Sequence, residues 1–208
     1  DDLPALLNDL VSIRIFEPAS KLRSLELMQQ FFGIVHSRKT YYKFAPNCIE
    51  FKQKVEEKIV AFAKAHYAFN YQLLFYDVTT LYFETFEEDE LRKNGFSKDN
   101  KSQQPQILVA LMVSKEGFPI AYEIFSGKTF EGHTIIPVIQ NFIEKNVAKD
   151  LTVVADAAMI STENVKQLVS NKINYIVGAR LGNISTSMLS KIDKSLSRED
   201  GKSIRLKT

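Results

Sequence analysis

Two aspartates stand at the ends of apolar runs. In Leu73-Leu74-Phe75-Tyr76-Asp77 a bulky aliphatic and aromatic stretch leads straight into a carboxylate, and Val78, Thr79, Thr80, Leu81, Tyr82 and Phe83 carry the run onward. In Leu151-Thr152-Val153-Val154-Ala155-Asp156 a second run of the same shape ends on an acid. Residues of this kind fit a pleated, half-buried surface, so both runs are expected to be strands. A lone carboxylate inside a buried strand is costly, so Asp77 is expected to be paired or metal-bound. If the two strands are neighbours, Asp77 and Asp156 meet. Like charges at close range repel, and one of the two stays protonated unless a cation lies between them. Mg²⁺ (or Mn²⁺) suits that position, because it takes oxygen ligands from one or two carboxylates and completes its shell with water and substrate phosphate. Two such ions roughly 4 Å apart serve phosphodiester chemistry at the attacking and the leaving oxygen. An Asp at a strand end is also a common turn residue or helix cap, and Asp156 taken alone leaves that alternative open.

The elements that must position these acids follow from pattern and punctuation. A strand is expected over 71–83, followed by a charged, aperiodic excursion over 84–100. A second apolar run, 106–114, turns at Lys115-Glu116-Gly117 and returns over 118–125 as a hairpin. Thr134 can cap a helix with Ile135, Ile139, Phe142 and Ile143 on one face. The strand 151–156 comes next, then a helix opened by Ser161 or Thr162 and carrying Val165, Leu168 and Val169, then a strand over 174–179. The tail from Arg180 is polar, with low periodicity. The order β-β-β-α-β-α-β implies an α/β fold with a mixed sheet flanked by helices. Residues 1–70 form an all-helical region ahead of it. Ser20 is expected to cap a helix whose apolar stripe is Leu22, Leu25, Met28 (or Leu27) and Phe32, with Gly33 as its stop. Asn47, with Glu50 three residues on, is expected to open another as a capping box, with Phe51, Val55, Ile59 and Phe62 facing inward.

Composition narrows the class without naming a substrate. With 208 residues, 45% hydrophobic and 25% charged, the chain has the make-up of a globular protein. A formal net charge of +2 is too mild to argue for nucleic acid by itself. One cysteine, Cys48, rules out an internal disulfide framework and a cysteine-based zinc cluster and fits a reducing, cytoplasmic setting. No run is long enough to span a bilayer. Both ends have the look of cuts in a longer protein. Lys21, Arg23, Arg38, Lys39 and Lys43, with Tyr41 and Tyr42 among them, concentrate basic and aromatic groups in the helical region. They are either a solvated face or a set of phosphate contacts on double-stranded DNA.

Taken in order, Tyr76-Asp77-Val78-Thr79-Thr80-Leu81-Tyr82, the run 106–114, Gly117-Phe118-Pro119-Ile120 and Val154-Ala155-Asp156-Ala157-Ala158-Met159-Ile160-Ser161 resemble the DDE transposases of bacterial insertion sequences, in particular the group with a β-rich insertion before the last acid. Pro18-Ala19-Ser20-Lys21-Leu22 and the tract 38–43 resemble the helical region ahead of that group's catalytic core. The resemblance implies a ribonuclease-H-like core over 71–180 and the start of an insertion or linker over 181–208. It implies Asp77 and Asp156 as the first two acids of an Asp-Asp-Glu triad holding two Mg²⁺ ions. It implies cleavage at transposon ends followed by strand transfer into target DNA, usually by a homodimer. The third acid has no counterpart in a suitable context before Thr208. Glu199 sits in a polar turn, so the triad is expected to be completed beyond this sequence, with the C-terminal part of the core missing and the fragment inactive by itself. A structure-selective nuclease or resolvase of the same fold and a non-catalytic DNA-binding derivative are the alternatives.

The remaining polar residues have plainer readings. His133 precedes a helix and suits a helix start, His36 and His66 lack a partner at metal-ligand spacing, and Cys48 suits packing. Glu87-Glu88-Asp89-Glu90 suits a solvated loop or a first helical turn. Lys128, near a strand end, is either a solvated lysine or within reach of a DNA phosphate.

Overall fold

The computed structural model describes residues 5–96, 103–148, 150–159, 161–178, 182 and 184–196. The chain separates into two compact units, Asp1–Lys58 and Ile59–Thr208.

The first unit is helical. It contains α1 (Ala5–Phe16), α2 (Lys21–Phe32), α3 (Arg38–Phe44), a 3₁₀ segment (Ala45–Phe51) and the start of α4 (Lys52–Tyr67). Ser20 is extended and its side chain accepts the Arg23 N–H, while Gly33 at φ 66° ends α2 in the left-handed region. Both bounds are those expected from the sequence. The buried side of α2 is Ser24, Leu25, Leu27 and Met28, and these apolar residues pack with Ile13 and Tyr41. Phe32 departs from the expected stripe: it is half exposed and meets Phe16 edge-on. The capping box at Asn47 does not form. Phe44, Ala45 and Lys52 all have right-handed helical dihedrals, so α3 passes through the 3₁₀ segment into α4 without the extended residue that an N-cap requires. Within the second unit, the buried residues of α4 are Val60 and Ala63, and Phe62, expected inside, is exposed and stacks near Phe118.

The second unit is built on a five-stranded sheet in the order β3-β2-β1-β4-β5. Its strands are β1 (Leu73–Tyr82), β2 (Gln106–Ser114), β3 (Pro119–Ser126), β4 (Thr152–Ala155) and β5 (Asn174–Val177). β1, β2 and β3 are antiparallel neighbours, whereas β4 lies parallel to β1 and β5 parallel to β4. Parallel neighbours need crossovers, supplied by α5 (Ile135–Asn146) before β4 and α6 (Thr162–Ser170) before β5. One face of the sheet carries Leu74, Tyr76, Val78, Leu108, Ala110, Met112, Val153 and Ala155, which form a single core with Ile135, Ile139 and Phe142 of α5 and Leu168 of α6. Fully burying such side chains is worth about 1.5–3 kcal/mol each before the entropy of ordering is counted. The other face is far wetter. Phe75, Leu111, Tyr122, Ile124 and Ile176 on it are all at least one-third exposed.

Further expectations fail in this unit. Asp77 is exposed, not buried, because β1 alternates and its inward residues are Leu74, Tyr76 and Val78. Val169 is exposed, and the buried residues of α6 are Asn164 and Leu168. The aperiodic tail contains α7 (Thr186–Ser195), capped by the Ser185 side chain at Met188 N–H. Glu199 lies outside the described residues.

The excursion after β1 is irregular and tied down. Lys93 and Gln106 exchange backbone hydrogen bonds, and the buried Gln106 amide donates to the carbonyls of Phe96 and Gly127. A side chain at Gly127 would collide with the Gln106 and Lys93 carbonyls. The acidic run has no helical turn. Glu88 accepts the Asn94 N–H and Asp89 those of Leu91 and Arg92, and these bonds hold both carboxyls below the usual carboxylate range.

Candidate active site

Tyr76 of β1 and Ala155 of β4 are Cα partners in the parallel pair. Asp77 and Asp156 are the next residue on each chain. β1 continues as strand through Asp77, whose partner on the opposite side is Leu111 of β2, itself opposite Tyr122 of β3. β4 stops at Ala155. Both acids are exposed, so water can reach them. The burial argument for a cation therefore does not hold, and the case for one rests on two hard oxygen donors at adjacent register positions. Among the described residues no group of three or more His, Cys, Asp or Glu side chains converges on a common point.

Asp156 is held by its own turn. Its Oδ1 and its carbonyl both accept the Met159 N–H, each at 3.3 Å, which closes the 3₁₀ turn Ala157–Met159. The helix-cap alternative is thus realised, and it engages one of the two carboxylate oxygens. The Gly178 N–H donates to the Ala155 carbonyl at 3.3 Å. A Cβ at Gly178 would stand 3.0 Å from the Ala157 nitrogen, so the end of β5 packs closely on this turn.

Behind the pair lies a buried polar network that pattern reading did not reveal. Tyr76, 2% exposed, donates its hydroxyl to Thr134 Oγ1 at 2.6 Å, and Thr134 Oγ1 donates to the Glu131 carbonyl at 2.6 Å. Thr134 occupies the N-cap position of α5 but makes no capping bond, because its hydroxyl is committed to these two partners. Burial pushes the Tyr76 phenol far above its usual range, the Thr134 bond lowers it, and the nearby Asp77 charge raises it. The phenol is therefore a donor at any ordinary pH. Asn164, 5% exposed, donates from Nδ2 to the carbonyls of Gly132 and Met159. The signal available for Asn164 was its i,i+4 spacing with Leu168, which puts a polar side chain on the buried stripe of α6.

The basic residues are dispersed. Lys21, Arg23, Arg38, Lys39, Lys43 and Lys128 are all exposed. Arg23 is paired with Glu26 at 2.7 Å, and the Arg38 guanidinium lies 5.7 Å from the Tyr42 ring centre. Lys128 is among the charges that lower Glu88, after the Asn94 bond and the Lys93 contacts. His36 bonds Asp9 at 2.6 Å, His66 packs on Phe62 and His133 lies near the Phe130 ring. Cys48 is half-buried, its thiol 4.0 Å from the Phe44 carbonyl.

Three antiparallel strands, two more parallel to the central one, and crossover helices over the sheet make a ribonuclease-H-like α/β fold. Residues 68–205 match the family model described as the transposase DDE domain, and the chain belongs to that family. Among solved structures, it is similar to the Mos1 transposase paired-end complex with left transposon end, at 10% identity and a TM-score of 0.36, over 90% of this chain and 69% of that one. It is also similar to the catalytic domain of Mos1 mariner transposase, at 12% identity and 0.33, over 69% and 67%. The piggyBac transposase synaptic complex with hairpin DNA matches at 12% identity and 0.46, over 91% of this chain but 43% of that one. No curated protein matches. Among the described residues no helix is long and apolar enough to cross a membrane.

Proposed function

We propose that the chain supplies the first two acids of a metal-dependent DNA-cleaving centre, and that the whole protein cuts transposon ends and joins them to target DNA. The observation that carries this is the Tyr76–Ala155 pair, each member followed in sequence by an aspartate, within a family defined by such acids. The donor set fits Mg²⁺ or Mn²⁺: two carboxylates and access for water, without sulfur or imidazole. A bound ion of this kind supplies a Lewis acid and lowers the pKa of a coordinated water or hydroxyl. Asp77, fixed in a strand bonded on both sides, presents its carboxylate to the open face of the sheet. Asp156 stands opposite it, one residue beyond β4. The third acid, the division of the chain into a DNA-contacting helical region ahead of the core, and assembly as a homodimer on two DNA ends belong to the same proposal. Lys21, Arg23, Arg38, Lys39, Lys43 and Lys128 are its proposed phosphate contacts, supported by their exposure.

The test uses the full-length parent, a labelled transposon-end duplex, and Mg²⁺ or Mn²⁺. Asp77→Asn and Asp156→Asn should each abolish strand cleavage while leaving the thermal melt in place, since both side chains are exposed. Cleavage that survives either substitution sinks the proposal. Cleavage indifferent to the end sequence would turn the reading toward a structure-selective nuclease.

A further inference from the structure

We infer that Asn164 is a positioning residue for Asp156: its buried amide holds the turn that aims the carboxylate. The inference rests on the reading of Asp77 and Asp156 as a cation-binding pair. β4 ends at Ala155, so the strand ladder does not orient Asp156 as it orients Asp77. The turn Ala157–Met159 orients it, through the Met159 N–H on Asp156 Oδ1. That turn is pinned by Asn164 Nδ2, which donates to the Met159 carbonyl at 2.8 Å. The same nitrogen donates to the Gly132 carbonyl in the segment Glu131–His133 ahead of α5. That segment is fastened in turn to β1, because Thr134 bonds both Glu131 and Tyr76.

The result is a path of hydrogen bonds and short backbone links from the residue before Asp77 to the carboxylate of Asp156. It runs Tyr76, Thr134, Glu131, then through the short backbone to Gly132, Asn164, Met159 and Asp156. The two acids are thereby referenced to each other through buried groups, independently of the exposed face on which they act. Asn164 suits the task because one NH₂ group offers two donors, and both are taken by carbonyls from different segments. Its own backbone N–H is satisfied by Ser161 Oγ, which fixes it at the start of α6. Partners one step removed from a metal ligand typically tune affinity about 10–100-fold. Asn164 acts through a main-chain turn, so the lower end of that range is expected.

The readout is Mn²⁺ affinity of the 208-residue chain, measured from the paramagnetic resonance signal of free Mn²⁺, with a thermal melt for every variant. Asn164→Ala should weaken Mn²⁺ binding about 10-fold. Asn164→Gln keeps the amide but displaces it by one methylene, and should weaken binding by a similar factor even if the alanine variant fails to fold. Leu168→Ala, on the same helix face and fully buried, is the control for lost stability. It should lower the melting temperature while leaving the Mn²⁺ constant within about twofold. Asp77→Asn and Asp156→Asn should abolish binding. If both aspartate variants abolish it while the folded Asn164 variants bind as the parent does, the positioning role is wrong and the site stands. If the aspartate variants bind normally, or the parent chain binds no Mn²⁺, both fail. If Leu168→Ala weakens binding as much as Asn164→Ala, the effect is one of general stability and the positioning role is overturned.

Discussion

The Tyr76–Thr134 bond allows a prediction whose sign is unusual. Tyr76 is 2% exposed and Thr134 is fully buried, and the hydroxyls are 2.6 Å apart. In Tyr76→Phe the phenol donor is lost, but Thr134 Oγ1 keeps its donation to the Glu131 carbonyl. Only one hydrogen bond disappears, at a cost of about 1 kcal/mol. In Thr134→Val the shape is kept and the Glu131 carbonyl still accepts the backbone N–H of residue 134. The Tyr76 hydroxyl, however, is left buried without its acceptor, which costs about 1–3 kcal/mol beyond the lost bond. Adding Tyr76→Phe to Thr134→Val removes the stranded hydroxyl, and a matched apolar pair is close to neutral. The double variant should therefore be more stable than Thr134→Val alone. Urea titrations followed by circular dichroism would measure this, supported by melting temperatures that move about 2–4 °C per kcal/mol for a chain of this size. A double variant as unstable as the sum of the two single variants would mean that the hydroxyls are not coupled, and that the network described above does not exist.

Two further outcomes can be measured away from the acids. Gly127→Ala forces a Cβ into the carbonyls of Gln106 and Lys93, and overpacking of this kind costs about 1–3 kcal/mol; a melting temperature equal to the parent's would show that the excursion is not clamped to β2. The Glu88 and Asp89 carboxyls are held low chiefly by the backbone N–H groups of Asn94 and Arg92 respectively. Because the folded values are depressed, the stabilisation is complete above the ordinary carboxylate range near pH 4 and is lost as pH falls through the folded values. The amide proton shifts of Arg92 and Asn94 should titrate with midpoints below that range, and midpoints at or above it would contradict the loop geometry.

The succession of strands and helices along the chain was legible because each apolar run was bounded by clear turn or cap chemistry. Residues 106–114 were expected as a strand and β2 is Gln106–Ser114, and Ser161 caps α6 as one of the two residues anticipated there. The burial of Asp77 was misread for a specific reason. Period-two alternation separates the faces only when the outer face is polar. In β1 and β2 the outer positions include Phe75, Leu81 and Leu111, so the strands look buried on both sides. α7 escaped although Met188, Leu189 and Ile192 stand at helical spacing, because they are few among Ser, Lys and Asp residues and none of them is buried. The capping box at Asn47 failed because local capping preference lost to continuous helical backbone running through Pro46. The buried network was hidden because Thr134 and Asn164 are residue types that ordinarily signal caps, and only their packing shows otherwise.

The two acids are carried by different means, and this asymmetry has a physical consequence. Asp77 lies within the central strand, paired on β2 with Leu111 and preceded by a residue paired on β4. Moving its backbone would break the pair with Leu111 and disturb the adjoining Tyr76–Ala155 pair. Asp156 lies one residue past the end of β4, where the ladder gives way to a three-residue turn, a bond from Gly178 and the amide of Asn164. Precision in the proposed two-ligand site would be set by its looser member, since affinity for a cation would depend on the separation of the two carboxylates, not on the position of either alone. Substitutions that loosen the Asp156 turn should therefore weaken cation binding more than equally destabilising substitutions along β1. The buried polar groups behind the sheet lie at the point where strand pairing stops fixing the geometry.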